Sequence, residues 1–351
     1  MSLIDSPPQS ILIIRLSAIG DVIMASALIP ALRGAFPDAR LVWLTEDTNA
    51  GLLLHNPRLD RVVVWPRRRW RQLIRERRYR EWSGEAWAMV RELRGGHFDL
   101  VLDLQGLLKS GIWAFLSGGR KRIGLGSREG SQLLMSKVIN RDSANARIGK
   151  EYLKLACELG SEPERFAMDI VFSEQERAEA SALLQTAGVT KPFAVIAPFT
   201  TRPQKHWFDE RWAELSGRLA CEHGLQIVLL GGPADKAHAK AITAQTSGLV
   251  DLAGQTGLGQ CAAIIEQASL LIGVDTGLTH LGIAMKTPTL ALFGSTRPYL
   301  DPGVDYAKVL YEPLPCSPCR RHPTCGGDFT CMKVHTADSV LAAAEKLLEL
   351  T

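Results

Sequence analysis

Short runs of apolar residues alternate along the chain with longer segments of helical periodicity. In the first half the apolar runs predict strands at residues 11–16, 41–44, 61–65 and 99–104, and helices at 22–36 and 85–93. In the second half they predict strands at 193–197, 226–230, 249–252, 270–274 and 289–293, with helices at 211–222, 237–246, 259–267 and 278–285. An amphipathic helix at 337–350 follows. This alternation is typical of α/β domains with parallel sheets.

The chain of 351 residues is too long for one compact core and fits two domains of ordinary size. Gly188 and Pro192 bracket a break before the strand at 193–197. We therefore expect a Rossmann-like N-terminal domain at 1–187, a second Rossmann-like domain at 188–335, and a closing helix at 336–351 that packs back toward the N-terminal domain. Because ligands bind beyond the carboxyl ends of the strands in such sheets, the expected site is the cleft between two facing domains.

The composition, with 46% hydrophobic and 22% charged residues, is that of a soluble globular protein. Arg15 interrupts the first apolar run, so no secretory signal is predicted. No uncharged run reaches the roughly 18 residues of a membrane-spanning helix. We expect a cytosolic protein that is able to touch a membrane from the cytosolic side.

The positive charge is concentrated in residues 66–80, which hold eight arginines and one glutamate. Such a cluster attracts anions. Nucleic acid, an anionic membrane surface and a phosphorylated or carboxylated substrate are all compatible with it, as is a merely solvated face.

Seven cysteines fall into two groups. Cys157, Cys221 and Cys261 lie in apolar helical patterns and are predicted to be core residues. The others are spaced C-x2-C-x5-C-x5-C, and a structural disulfide is not expected among them in a cytosolic protein. They could hold zinc or an iron–sulfur cluster, or form a thiol-containing surface loop; these residues are Cys316, Cys319, Cys325 and Cys331.

The turn at residues 274–280 follows an apolar strand and leads at once into a helical segment. This order places free backbone N–H groups at a helix N-terminus, where a phosphate binds well. Asp275 or Thr276 could cap the helix, and Gly277 lets a ligand come close to the backbone. An ordinary strand-to-helix turn is the alternative interpretation.

Polar residues also follow other strands of the predicted sheets. Asp21 follows the first strand and is either a helix N-cap or a general base for an acceptor hydroxyl. The turn before it lacks the G-x-G-x-x-G pattern, which argues against a dinucleotide cofactor. The loop at 198–207 combines hydroxyls with Arg and Lys, as a diphosphate cradle would, or is a polar connection. Asp235 could bind a hydroxyl pair of a nucleoside or cap the next helix.

Segments 17–21, 103–110, 200–207 and 275–280 together resemble glycosyltransferase family 9, the lipopolysaccharide heptosyltransferases. The stretch at 68–71 and the loop at 200–207 are most similar to the heptosyltransferase I type. The resemblance implies a GT-B fold of two facing Rossmann-like domains and an inverting transfer without a catalytic metal or other cofactor. It implies ADP-L-glycero-D-manno-heptose as donor and the Kdo sugar of Kdo-lipid A as acceptor, at the cytosolic face of the inner membrane, and no nucleic-acid partner.

The resemblance also assigns roles to individual residues. Asp21 matches the general base, and Lys205 matches the lysine that meets the departing diphosphate. The residues that match the donor site are Thr200, Thr201, Asp235, Asp275, Thr276, Gly277, Leu278 and His280. The basic residues that match the acceptor side are Arg68, Arg69, Arg71 and Arg128. The chain contains no Asp-x-Asp metal motif.

Two features depart from the heptosyltransferase I pattern. Asp235 stands where that type tends to have Glu, and the four-cysteine segment is more like a tail of other family members. Alternatives therefore include a heptosyltransferase II-like enzyme whose acceptor is a core heptose. Outside the family, the alternatives are a nucleotide-sugar epimerase and a non-catalytic binding protein for anionic glycolipid.

Overall fold

The computed structural model describes residues 3–4, 6–141, 146–161, 166–190, 192–319 and 322–349. The chain divides into two compact units. The first comprises Met1–Asn145 and Gly149–Val171, and the second comprises Ala146–Ile148 and Phe172–Thr351.

The first unit is built on a parallel sheet in the order β3-β2-β1-β4-β5-β6. Its strands are β1 (Ser10–Ile14), β2 (Arg40–Glu46), β3 (Arg61–Trp65), β4 (Leu100–Asp103), β5 (Lys121–Leu125) and β6 (Lys137–Ile139). Its helices are α1 (Ile19–Ala25), α2 (Leu28–Ala35), α3 (Arg67–Arg75), α4 (Tyr79–Arg94), α5 (Leu108–Leu116) and α6 (Lys150–Glu158), with one-turn 3-10 helices at Ala50–Leu52 and Ser131–Leu134. The helix predicted at 22–36 is broken in two, and at the break the Ser26 hydroxyl donates to the Ile23 carbonyl oxygen (2.6 Å).

The second unit repeats this architecture with the order β12-β11-β10-β7-β8-β9. Its strands are β7 (Phe193–Ala197), β8 (Gln226–Leu229), β9 (Leu249–Asp251), β10 (Leu270–Val274), β11 (Thr289–Leu292) and β12 (Ala307–Leu310). Its helices are α7 (Glu174–Thr186), α8 (Asp209–His223), α9 (Lys236–Thr243), α10 (Leu258–Glu266), α11 (Gly277–Ala284), α12 (Thr330–Lys333) and α13 (Ala337–Leu348), with 3-10 turns at Pro203–Lys205 and Pro233–Asp235. The prediction of an α/β protein with two parallel sheets is confirmed.

In each unit the strand order reverses between the first and the fourth strand in chain order. This switch point lies between β1 and β4 in the first unit and between β7 and β10 in the second. Open α/β sheets bind ligands beyond the carboxyl ends of the strands at such a point. The residues that follow β1 and β4, and those that follow β7 and β10, are therefore where function is expected.

The division between the units comes earlier than the expected 187/188 boundary, because α7 packs on α10 of the second unit. The Gln260 side-chain amide donates to Glu179 (2.7 Å), and Arg177 pairs with Glu266 (2.5 Å). A Cβ atom on Gly259 would collide with Glu176, so the two helices are in close contact.

The closing helix predicted at 336–351 is observed as α13. The side chains of Val340, Leu341, Ala344 and Leu347 on α13 are buried in the core of the second unit. The helix packs on α8 and along β10, β11 and β12, because its apolar face completes that core. Leu350, the predicted last residue of the helix, lies outside the described residues.

Two of the three isolated cysteines differ from their predicted core positions. Cys157 and Cys221 are exposed, because their places on α6 and α8 fall on the outer faces of these helices, whereas Cys261 is buried. None of the helices in the described part of the chain is both long and apolar enough to cross a membrane.

Candidate active site

The turn after β10 leads directly into α11. Thr276 is the N-cap residue with an extended backbone, yet its side chain makes no capping hydrogen bond. Asp275 does not cap the helix either, because its carboxylate is engaged elsewhere. The predicted side-chain cap is therefore wrong. Residues 275–278 are partly exposed, so the N–H groups of the first turn of α11 are accessible to an anion.

Asp275 is the centre of a hydrogen-bonded network at this switch point. Its Oδ2 atom lies 2.8 Å from the Lys205 ammonium and accepts a hydrogen bond from the Thr296 hydroxyl (2.7 Å). Its Oδ1 atom lies 3.6 Å from Nε2 of His280, whose Nδ1 atom contacts the Tyr299 hydroxyl at 2.9 Å. The structure thus brings Asp275 and His280, predicted for donor binding, together with Lys205, predicted as catalytic. It adds two residues that were not predicted, Thr296 and Tyr299.

The electrostatics of this network keep Asp275 ionised. Burial by itself would raise the pKa of the carboxyl, but contact with His280 and the charge of Lys205 hold it well below its usual range. Burial and the nearby Asp275 charge raise the pKa of Tyr299 well above its ordinary value, so its hydroxyl keeps its proton. Lys205 is thereby fixed beside the N-terminus of α11.

The loop after β7 holds Lys205 in place. The His206 ring bonds the Thr200 carbonyl oxygen (2.9 Å), and burial lowers the pKa of His206, so this ring is neutral at pH 7. Trp207 is buried and donates to the His335 carbonyl oxygen (2.8 Å). Thr200 is half-buried and Thr201 is exposed. The anchored ends of the loop leave its hydroxyls at the carboxyl end of β7.

Asp235 serves the turn that contains it. Its Oδ2 atom accepts the Gly232 N–H (2.8 Å), and its side chain does not cap α9. This bond closes the 3-10 turn after β8. Contact with a nucleoside hydroxyl pair remains a prediction for this residue.

Asp21 occupies the corresponding place in the first unit, after β1. It is the third residue of α1 rather than the N-cap, which is Ala18. Its Oδ2 atom accepts the Ala18 N–H (3.2 Å) and pairs with the Arg15 guanidinium at 2.6 Å. Arg15 is buried and also donates to the Leu104 carbonyl oxygen (2.6 Å). The Asp21 side chain remains 39% exposed, so an oriented carboxylate faces solvent at this switch point.

A second charged cluster stands beside Asp21, and the sequence did not reveal it. The buried carboxylate of Glu46, at the end of β2, lies 2.9 Å from Lys109 and 2.9 Å from Arg67. Lys109 also reaches the Ser17 hydroxyl at 3.3 Å, in the turn that leads to Asp21. Lys109 belongs to segment 103–110, which is one of the four segments that resemble glycosyltransferases of family 9. This resemblance was the signal in the sequence that pointed to Lys109.

The predicted acceptor arginines are exposed, but they differ in how they are held. Arg69 on α3 pairs with Glu85 (2.7 Å), whereas Arg68 and Arg71 present exposed side chains on the same helix. Arg128 is exposed, and its N–H donates to the Gly106 carbonyl oxygen (2.9 Å). This bond places Arg128 next to the turn after β4.

A family model described as glycosyltransferase family 9 (heptosyltransferase) matches residues 86–327. The chain belongs to glycosyltransferase family 9.

Known members resemble this family 9 chain over most of its length. Lipopolysaccharide heptosyltransferase 1 of Salmonella typhimurium is 30% identical over 301 residues, which cover 84% of this chain and 90% of that protein. Lipopolysaccharide heptosyltransferase 3 of Escherichia coli is 24% identical over 340 residues, covering 94% and 95%. The solved structure of E. coli heptosyltransferase WaaC with ADP matches with a TM-score of 0.74 at 25% identity, covering 96% of this chain and 99% of that one.

The fold of this family 9 glycosyltransferase is GT-B. The resemblance that the four sequence segments indicated is confirmed, and the chain is an enzyme rather than a non-catalytic binding protein. Family membership also excludes the epimerase alternative. The matched residues include Lys205, Asp275 and His280, whereas Asp21 precedes them.

Proposed function

We propose that the protein transfers heptose from ADP-L-glycero-D-manno-heptose to the Kdo sugar of Kdo-lipid A, with inversion, in lipopolysaccharide inner-core synthesis. The observation that carries this proposal is the Lys205–Asp275 pair beside the uncapped start of α11. The relatives named as lipopolysaccharide heptosyltransferases and the WaaC structure with ADP support the donor class.

The second unit supplies the donor half of the site. In the transfer, the bond between the anomeric carbon and the β-phosphate oxygen breaks, and the electron pair leaves with ADP. The growing negative charge falls on the diphosphate, where the Lys205 ammonium and the N–H groups of α11 stabilise it. Thr200 and Thr201 donate hydroxyl hydrogen bonds to the phosphates, and Asp235 and His280 contact the remainder of the nucleotide sugar. Asp275 holds Lys205 in position.

The first unit supplies the base. The Kdo hydroxyl oxygen attacks the anomeric carbon from the face opposite to the diphosphate, and its proton passes to the Asp21 carboxylate. Arg15 and the Ala18 N–H both contact Oδ2, so they orient the carboxylate and Oδ1 takes the proton. The net result is one glycosidic bond formed, one glycosyl phosphate bond broken and one proton transferred.

Exposed basic residues of the first unit suit an anionic acceptor. Kdo carries a carboxylate and lipid A carries phosphates, and Arg68, Arg69, Arg71 and Arg128 are exposed in this unit. Arg69 is in part neutralised by Glu85. We therefore assign the larger share of acceptor binding to the other three arginines.

An exposed apolar stripe on α5 supports contact with the membrane that holds a lipid acceptor. Leu108, Ile112 and Phe115 recur at helical spacing and are all exposed, and Leu133 in the adjoining 3-10 turn is 85% exposed. The Arg122 guanidinium carbon lies 5.6 Å from the centroid of the Phe115 ring, so a positive charge accompanies the stripe. We infer a peripheral position at the cytosolic face of the inner membrane.

Vesicle sedimentation tests this position. The protein is expected to bind vesicles that contain anionic lipid, and Phe115→Ser and Ile112→Ser should each weaken the binding. Leu300→Ser, at an exposed apolar residue of the second unit, is the matched control. Equal binding by all variants would show that the stripe on α5 does not contact the membrane.

A core heptose is a second candidate acceptor. It is considered because this chain matches both lipopolysaccharide heptosyltransferase 1 and lipopolysaccharide heptosyltransferase 3. The test measures ADP release from ADP-heptose with Kdo2-lipid A, with the same acceptor already carrying one heptose, or with no acceptor. Release that requires Kdo2-lipid A supports the proposal. Release with the heptosylated acceptor alone would assign the enzyme to a later step of the core.

A further inference from the structure

The carboxyl ends of β1, β2 and β4 carry a charged cluster to which the proposed transfer gives no role. Glu46 is the last residue of β2, Lys109 lies in the first turn of α5 after β4, and Ser17 follows β1. The Glu46 Oε1 atom lies 2.9 Å from the Lys109 ammonium, which also contacts the Ser17 hydroxyl at 3.3 Å. Because β1 is flanked by β2 and β4, these three side chains meet at the switch point of the first sheet.

Arg67, the first residue of α3, joins this cluster. Its Nη1 atom donates to both carboxylate oxygens of Glu46, at 3.0 and 2.9 Å. Its guanidinium carbon also lies 5.8 Å from the centroid of the Trp65 ring, which helps to fix the side chain. Lys109 and Arg67 therefore share a single carboxylate, which leaves one positive charge in excess.

The fold itself does not require this second cation. Glu46 is buried, with 6% of its side chain exposed, but one cation is enough to pair its charge. Both Arg67 and Lys109 stand in the first turn of a helix, where the helix dipole disfavours a positive charge, and neither first turn contains an acidic residue. An anionic ligand at this position would balance the excess charge.

Both cations keep donor groups that a ligand can reach. The side chains of Lys109 and Arg67 are each 30% exposed. Within the described part of the chain, Glu46 and Ser17 engage two of the three ammonium N–H groups of Lys109, and Glu46 engages only the Nη1 atom of Arg67. One ammonium N–H and the side of the guanidinium formed by Nε and Nη2 are thus left for an anion.

We propose that Lys109 and Arg67 bind the carboxylate of the acidic acceptor sugar and that Glu46 positions both of them. This assignment rests on the proposed function, in which the Kdo hydroxyl gives its proton to Asp21. The Kdo carboxylate belongs to the same sugar as that hydroxyl, whereas the phosphates of lipid A belong to other sugars. Lys109 contacts the turn that leads to Asp21, so an anion held here is the one nearest to the reacting hydroxyl.

Steady-state kinetics of the full-length enzyme tests this subsite. Lys109→Met and Arg67→Met should each raise KM for Kdo2-lipid A at least about fivefold and leave KM for ADP-heptose unchanged, since a charge-assisted contact with the acceptor is lost. Arg75→Met, at the exposed other end of α3, is the matched control and should keep the wild-type KM. An unchanged KM in the first two variants would overturn the proposal. So would a fall in kcat alone, which would show that Lys109 only supports the turn before Asp21.

Each single variant leaves Glu46 paired with the remaining cation, so the buried carboxylate is not isolated and the fold should persist. Thermal unfolding checks this expectation. A binding measurement without donor then separates the subsite from the transfer reaction. By NMR titration, the wild-type protein should bind the methyl glycoside of Kdo at least about fivefold more tightly than the methyl ester of that glycoside, and both variants should lose this preference.

Inorganic phosphate distinguishes a carboxylate subsite from a phosphate subsite. Equal affinity for the acid and the ester, or a stronger binding of phosphate that the same variants abolish, would overturn the proposal. If the acid is preferred but no heptose is transferred, the proposed function fails and the carboxylate subsite stands. If heptose is transferred while the acid and the ester bind alike, the subsite fails and the proposed function stands.

Discussion

The Nζ atom of Lys205 lies 2.8 Å from Oδ2 of Asp275, and this pair joins the loop after β7 to the turn after β10. The two loops flank the switch point of the second sheet. Both side chains are largely shielded from solvent, at 16% and 18% exposure, so the pair is screened less than a surface ion pair. The Lys205 charge, which we propose to meet the diphosphate, is therefore held in place by Asp275.

Removing that charge should slow the chemical step. We expect Lys205→Met to lower kcat by more than about tenfold, since one charge-assisted contact in the transition state is lost. Asp275→Asn should also lower kcat, because Lys205 is no longer held, and the double variant should be little worse than Lys205→Met. Steady-state kinetics with saturating acceptor gives these values. Additive losses would show that the two residues act independently.

Asp21 should be required for turnover but not for donor binding. Asp21→Asn keeps the size of the side chain and removes the proton acceptor, so kcat should fall by about a hundredfold or more. Calorimetric titration with ADP should give a Kd close to that of the wild type. Asp38→Asn, at an exposed carboxylate of the same unit, is the control. A variant that loses donor affinity but turns over normally once saturated would contradict the general-base role.

The ionised Asp275 should stabilise the fold in a pH-dependent way. Its pKa in the folded protein lies below that of an unfolded chain, where Asp has a pKa of about 3.9. The stabilisation is then fully present above the unfolded value and is lost as the pH falls toward the folded value. The difference in Tm between wild type and Asp275→Asn should therefore narrow below about pH 4. A difference in Tm that stays constant between neutral and acidic pH would show that Asp275 is not held ionised in the folded protein.

Positive charge at the carboxyl end of the first sheet should bind the acceptor. Arg71→Ala and Arg128→Ala should raise KM for Kdo2-lipid A, and the effect should shrink as salt screens the exposed charges. Arg120 precedes β5 and Arg128 follows it, so Arg120→Ala removes the same charge from the opposite end of the same strand. If Arg120→Ala and Arg128→Ala change KM for Kdo2-lipid A equally, Arg128 is a solvated surface charge rather than an acceptor-binding residue.

The sequence predicts the framework of these sites better than their contacts. The strands that enter the switch points are nearly continuous apolar runs, so β1, β7 and β10 and the polar turns after them stand out. Strands β5, β6 and β12 were missed because they are short and include lysines. Their absence from the prediction did not affect the positions of the switch points.

The partners that complete each site could not be predicted, because they come from elements that only the strand order brings together. Thr296 and Tyr299 reach Asp275 and His280 because β11 lies beside β10. Glu46 meets Lys109 because β2 and β4 both flank β1. Local periodicity carries no information about such pairings. The capping interpretation of Asp275 failed for the same reason, since a distant lysine competes for its carboxylate.

Mass spectrometry of the acceptor after incubation with ADP-heptose decides whether the protein transfers heptose to Kdo2-lipid A. We expect Kdo2-lipid A to gain the mass of one heptosyl unit with the wild-type protein, and Asp21→Asn and Lys205→Met to form far less of this product. An acceptor of unchanged mass, with ADP-heptose intact, isomerised or hydrolysed to free heptose, would contradict it.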